Sequence, residues 1–135
     1  MGKRLALGLW TLVILMAVVP WRNYTDHVHW GWVQWIPFTT PPVKARDIIA
    51  NILIYVPFGY LYARQRAGCR RAWRIIGYAA TLSLATEATQ LFSHTRFPSS
   101  GDWVCNVTGA WMGMKLATFA WNQSEGWWTA GGSNS

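Results

Sequence analysis

Charge is what this sequence has least of. Only 13% of its 135 residues are Asp, Glu, Lys or Arg, about half the share that wets the surface of a soluble globular domain. The exterior of such a chain needs another solvent, and the membrane is the first candidate. Cysteine is scarce as well, at 2 residues, which excludes a disulfide-built scaffold. The sequence contains no Walker loop, dinucleotide fingerprint, HExxH or GxSxG pattern and no internal repeat, so the common nucleotide, metalloprotease and serine-hydrolase chemistries have no motif here.

What is abundant points the same way. Hydrophobic residues make up 52% of the chain, aromatic residues 16%, and 11 residues are Trp. Intrinsic disorder is excluded, because it requires low hydrophobicity. Indole is enriched where hydrocarbon meets headgroups. The net charge is +7, which in a soluble protein would suggest nucleic acid. Here Arg64, Arg66, Arg70, Arg71 and Arg74 crowd into one stretch between apolar segments, where such a cluster sets membrane orientation instead. The expected partner is the lipid bilayer, with no nucleic acid.

Four apolar segments are long enough to be tested as spans, at roughly 17–25 residues each. They run from Leu5 to Trp21, Asp47 to Tyr62, Trp73 to Ser93 and Asp102 to Trp121. The first resembles a signal peptide at its start, but Ala17-Val18-Val19-Pro20 lacks a small-x-small cleavage site, so a retained anchor is expected. Pro57 and Gly59 predict a kink in the second segment, tolerable where neighbouring helices satisfy freed carbonyls. The expected fold class is all-α: a polytopic membrane protein with a small bundle of four transmembrane helices as one domain over residues 1–121. The polar, Gly/Ser-rich stretch 122–135 is expected to be a disordered tail.

Counting basic residues orients the bundle. Lys3, Arg4, Arg64, Arg66, Arg70, Arg71 and Arg74 share one side, against Arg22, Lys44, Arg46 and Arg96 on the other. The larger set belongs in the cytoplasm. Both termini are then cytoplasmic in a bacterial inner membrane, with outer loops at about 22–46 and 94–101. Trp21, Trp30, Trp32, Trp35 and Trp103 fall at the outer interface, and Trp73, Trp121, Trp127 and Trp128 at the inner one.

Ionisable groups inside a membrane cost about 2.5–3.5 kcal/mol each even on the insertion scale, so their placement carries information. Each of the last three segments has one polar stripe at helical spacing: Asp47 and Asn51; Ser83, Glu87 and Gln90; Asp102, Asn106 and Gly109. In the up-down topology all three stripes meet near the outer leaflet, with Arg96 in the adjoining loop as the natural cation. Two readings follow. The group is either a polar lock that sets helix register, or a solvated pocket opening outward. The number of groups favours the pocket. Gly109 and Gly113 form a small-xxx-small face for close helix packing, and Lys115 snorkels to the inner headgroups.

His27 and His29 have the spacing of two metal ligands on a strand, but the sequence places no third ligand beside them. No metal and no cofactor is therefore expected. Cys69 and Cys105 fall on opposite sides of the topology, too far apart for a disulfide, and neither has a partner at ligand spacing.

The run Asp47-x3-Asn51-x2-Ile54-Tyr55-Val56-Pro57-Phe58-Gly59, then Ser83-x3-Glu87-x2-Gln90, then Arg96-x5-Asp102-x3-Asn106-x2-Gly109-x3-Gly113 resembles the VanZ-like family of small bacterial membrane proteins over about residues 47–116. One departure stands out: Ser99 occupies a position where members often carry an additional Asp. The resemblance implies an association with low-level resistance to glycopeptide antibiotics, notably teicoplanin, with no agreed mechanism. Many members occur away from resistance clusters.

The leading expectation is a binding role: Asp47, Asn51, Glu87, Gln90, Arg96, Asp102 and Asn106 line a pocket for a cell-envelope headgroup or a lipid-linked or cell-wall precursor. Arg96 would hold an anion by a forked hydrogen bond, and the carboxamides would read polar edges. The alternative is an enzyme in which Glu87 and Asp102 perform acid-base chemistry on a lipid-linked substrate, and a third reading is a non-catalytic membrane scaffold. Oligomeric state is not readable from the sequence.

Overall fold

The structure is a computed structural model that describes residues 2–21, 24–39, 45–65, 72–94 and 96–130, the last seven as backbone only. Among the described residues four α-helices form in chain order: α1 (Gly2–Val18), α2 (Ala45–Gln65), α3 (Ala72–Gln90) and α4 (Ser100–Ala130), with a 3-10 turn at Trp30–Trp32. The four expected segments and the all-helical class agree with this order. Arg22, Lys44, Arg66, Cys69, Arg70 and Arg71 lie outside the described residues, as do the side chains of Trp127 and Trp128.

The helix ends have local causes. Pro20 follows the last turn of α1, where it cannot continue the helix. Asp47 sits in the first turn of α2 and Arg64 in its last, each complementing the helix dipole at its own end. At the start of α4, Ser99 Oγ accepts the Gly101 N–H at 3.2 Å, an N-cap contact. Asp102 lies in the same first turn. Helix α4 then continues to Ala130, through residues 122–130 that composition had assigned to a disordered tail. Residues 131–135 lie outside the described part.

Helix α2 runs through Pro57 as one element. Proline has no N–H for the carbonyl four residues back, here that of Leu53; the Trp10 indole N–H of α1 donates to the next carbonyl along, that of Ile54, at 2.8 Å.

Packing is closest between α2 and α4. A Cβ at Gly109 would collide with the Ile52 backbone, one at Gly113 with Val56, and one at Gly59 with Ala110. Gly109 and Gly113 thus bring two backbones into contact, and α2 and α4 run parallel. Helix α3 runs antiparallel to α4, as its bond from Asn106 to Ser83 requires alongside that from Ser99 to Glu87. The core is small: Ile14, Val18, Tyr55, Phe58, Ala79 and Ala110, with Leu7, Trp10, Ile54 and Leu82 packed around it.

Outside the core, polarity is inverted. Ser83, Thr86, Glu87, Gln90, Ser93 and Asn106 are buried, while Leu5, Leu9, Met16, Leu53, Leu84, Leu116 and Phe119 are exposed along the helices, and Trp73 is 81% exposed. No helix among the described residues is long and apolar enough to cross a membrane. The reasons are visible: α1 has 17 residues, about 25 Å of helix, and the other three carry their polar stripes within the element. The four-helix arrangement stands, and its spanning of a bilayer does not follow from the helices one at a time.

Candidate functional site

Three helices and one loop meet where α3 ends and α4 begins. Glu87, on the buried side of α3, accepts the Ser99 backbone N–H on Oε2 at 2.8 Å. One turn earlier, Ser83 Oγ accepts from Asn106 Nδ2 at 2.9 Å in a fully enclosed contact. Thr86 donates back to the Ser83 carbonyl. The buried Tyr55 hydroxyl lies near the Thr86 and Ser83 side chains, and among the described residues the buried Asn106 Oδ1 has no hydrogen-bond partner. Buried polar atoms are seldom left so.

The other expected site residues gather at the same end of the bundle. Asn51 of α2 lies against the Asp102 carboxyl, with Asp47 in electrostatic range. Asp102 and Arg96 both act on Glu87, and Gln90 is buried. Arg96, however, makes no ion pair within 4.0 Å among the described residues; its guanidinium is exposed and donates to the Ala17 carbonyl of α1 at 3.3 Å. The pairing of Arg96 with the neighbouring carboxylates that the sequence suggested is not formed among the described residues. Asp47 instead meets Arg46 at 3.5 Å on the surface.

Beside the polar group lies an open groove of about 450 Å³, walled by Trp30, Trp35, Leu84, Leu91, Pro98 and Trp103, with Glu87, Gln34, Ser99 and Ser100 as its polar members. The walls are mainly apolar, whereas the sequence had suggested a solvated polar pocket. Of the seven expected ligand-binding residues, Glu87 alone is in the groove wall. The remaining six are not in its wall. Asp102 is among these, so of the two carboxylates considered for acid-base chemistry Glu87 is the one that faces the groove.

The loop before α2 builds the groove's other wall, a contribution that sequence reading missed. Gln34 N–H donates to the Pro98 carbonyl at 2.9 Å, and its own carbonyl accepts from Ser100 N–H at 3.1 Å. The Ser100 hydroxyl also reaches the Gln34 and Trp35 carbonyls. The signal available was Ser99-x2-Asp102, a helix-start pattern that places Ser99 at the N-cap of α4 and Ser100 at its first residue rather than in a free loop.

A family model described as VanZ/LLP1 matches residues 5–121. The chain belongs to the VanZ/LLP1 family. The match begins well before Asp47, so α1 and the Trp-rich loop are part of the VanZ/LLP1 region and not additions to it. No curated protein and no solved structure matches the chain. In this VanZ/LLP1 protein, Ser99 caps α4, a task for which Asp and Ser are both preferred. The departure at that position therefore keeps the capping function and lacks only the charge.

Proposed function

We propose that this protein is an integral membrane member of the VanZ/LLP1 family that holds an amphiphilic envelope component, its apolar part in the groove and its polar part near Glu87. The observation that carries the reading is the position of Glu87, between the apolar groove and the buried Ser83 and Asn106, with the half-buried Asp102 nearby. A molecule with a tail and a headgroup fits such a junction, whereas a purely polar solute would leave the Trp and Leu walls facing water.

The inverted polarity supports the membrane setting. Contiguous exposed apolar surface on a soluble monomer signals a covered interface, and here it follows the outsides of all four helices. In a bilayer the helices reach the interfaces as a bundle, with Trp residues at the boundaries and the polar stripes shielded inside. A headgroup or lipid-linked wall precursor is the ligand class, and an effect on glycopeptide action at the cell surface would follow from sequestering it. Acid-base catalysis is the weaker reading because Asp102 lies outside the groove.

Protein in nanodiscs, incubated with a polyprenyl-linked disaccharide precursor, with phosphatidylglycerol or with free disaccharide phosphate, tests the reading by native mass spectrometry. Retention of either lipid, but not of the free headgroup, is expected. Leu84→Asp, which puts a charge in the groove wall, should abolish it. Equal retention in wild type and Leu84→Asp would overturn the proposal.

A further inference from the structure

Three imidazoles meet on the surface beside the groove. His27 and His29 come from the loop before α2, and His94 follows the end of α3, more than sixty residues later in the chain. One ring nitrogen from each lies within 4.8 Å of the others. Ring centroids are 4.6 Å apart for His27 and His29, 4.6 Å for His29 and His94, and 5.7 Å for His27 and His94. The third ligand that the sequence could not place is His94.

From this convergence we infer a binding site for a divalent transition metal of the zinc class, with His27, His29 and His94 as its ligands. Two further features belong to such a site. The His27 Nδ1 is 2.8 Å from the Asp26 carboxylate, and the His29 Nδ1 faces the Leu91 carbonyl at 3.3 Å. Ligating histidines characteristically hold their second nitrogen on a carboxylate or a backbone carbonyl, which fixes the tautomer and frees Nε2 for the metal. Both loop histidines have this arrangement.

The scaffold under the cluster is already tied down. Thr25 N–H donates to the Phe92 carbonyl at 2.8 Å and His29 N–H to the Leu91 carbonyl at 2.9 Å, so the two segments that supply the ligands are held together by their backbones. The Trp32 ring stacks on His29 at 4.2 Å and meets Phe97 edge-on, closing one side. Core burial does not force this meeting, because His27 and His94 are exposed. Arg96, the described cation nearest His94 in sequence, is engaged with Ala17.

Zinc at about 2.0–2.1 Å from each nitrogen needs ligand atoms about 3.4 Å apart in a tetrahedron. Closing from 4.8 Å requires only side-chain rotation by two exposed rings. Three neutral nitrogens suit zinc, nickel or copper and give magnesium no reason to bind. The fourth position stays open to water, and the metal would fasten the groove-forming loop to the end of α3.

The test uses the full chain, purified in detergent with an affinity tag free of histidine. Zinc alone is titrated against a chromophoric chelator, and metal content is read by mass spectrometry. One zinc per chain is expected, with magnesium unable to compete, and cobalt should give the intense visible bands of a four-coordinate site. His94→Gln should weaken zinc binding at least tenfold, and Asp26→Asn by about 10–100-fold through the His27 contact. Zinc should raise the unfolding temperature of wild type and not of His94→Gln. Less than one zinc per chain in wild type, or unchanged affinity in His94→Gln, overturns the site. Should His94→Gln aggregate, His27→Gln decides by the same criterion.

Discussion

Glu87 Oε2 accepts the backbone N–H of Ser99 across the junction of α3 and α4, at 2.8 Å. The side chain is 6% exposed, so water does not replace it when it is removed. Glu87→Ala should therefore cost about 1–3 kcal/mol, the penalty for a buried donor left unmade. Glu87→Gln keeps an acceptor oxygen in reach and should lose less. Thermal unfolding in detergent orders the two variants, and equal losses would mean that the contact contributes nothing.

Ser99 has its own part in that junction. Its hydroxyl caps α4 through Gly101, so Ser99→Ala should destabilise by about 0.5–2 kcal/mol, while Ser99→Asn should retain most of the wild-type stability. Unfolding midpoints of the pair check this. A Ser99→Ala protein as stable as wild type would remove the cap from the account.

The contact between α2 and α4 gives a paired test among glycines. Gly113→Ala drives a methyl group into the Val56 backbone, and backbone cannot yield as a flexible side chain does. A loss of about 1–3 kcal/mol or more is expected from overpacking. Gly77→Ala on α3 meets nothing within 4 Å and should be neutral or stabilise by up to about 1 kcal/mol, through helix propensity. Similar effects at the two positions would contradict the close approach.

These residues also show what could be read from sequence and what could not. Helical spacing found Ser83, Glu87, Gln90, Asp102 and Asn106, because a period of 3.6 fixes which side chains share a face whatever lies opposite. The small-xxx-small spacing of Gly109 and Gly113 identified the tight contact, though not Ile52 and Val56 as its other side. Tertiary placement was the part that escaped. Arg96 turned to the Ala17 carbonyl because α1 ends beside it, and no periodicity reports on a helix eighty positions earlier. The approach of Gln34 to Ser100 and of His29 to His94 depends on backbone pairing between two irregular segments, which carries no period at all. Composition marks residues 122–130 as polar, while the backbone of α4 runs on to Ala130, because a helix extends cheaply once nucleated.

A role toward wall precursors on the outer face requires the groove to open outward, and one end-to-end contact makes that testable. Gln65 Nε2 donates to the Lys3 carbonyl at 3.2 Å, so the start of α1 and the end of α2 share one end of the bundle, with Lys3, Arg4 and Arg64. Arg96 and Ala17 mark the other end. If the basic end is cytoplasmic, as the seven-to-four excess in the sequence requires, the groove faces outward. In a Cys69→Ala, Cys105→Ala background, Thr39→Cys should then react with an impermeant thiol reagent on spheroplasts, and Gly2→Cys only after the membrane is opened. Both positions suit the probe: Thr39 is exposed, and a side chain at Gly2 meets nothing within 4 Å. Inversion would carry the basic end across the bilayer, at about 2.5–3.5 kcal/mol per Arg or Lys at mid-bilayer on the insertion scale. Labelling of Gly2→Cys from outside with Thr39→Cys protected would place the groove in the cytoplasm, and a role toward wall precursors on the outer face would fall with it.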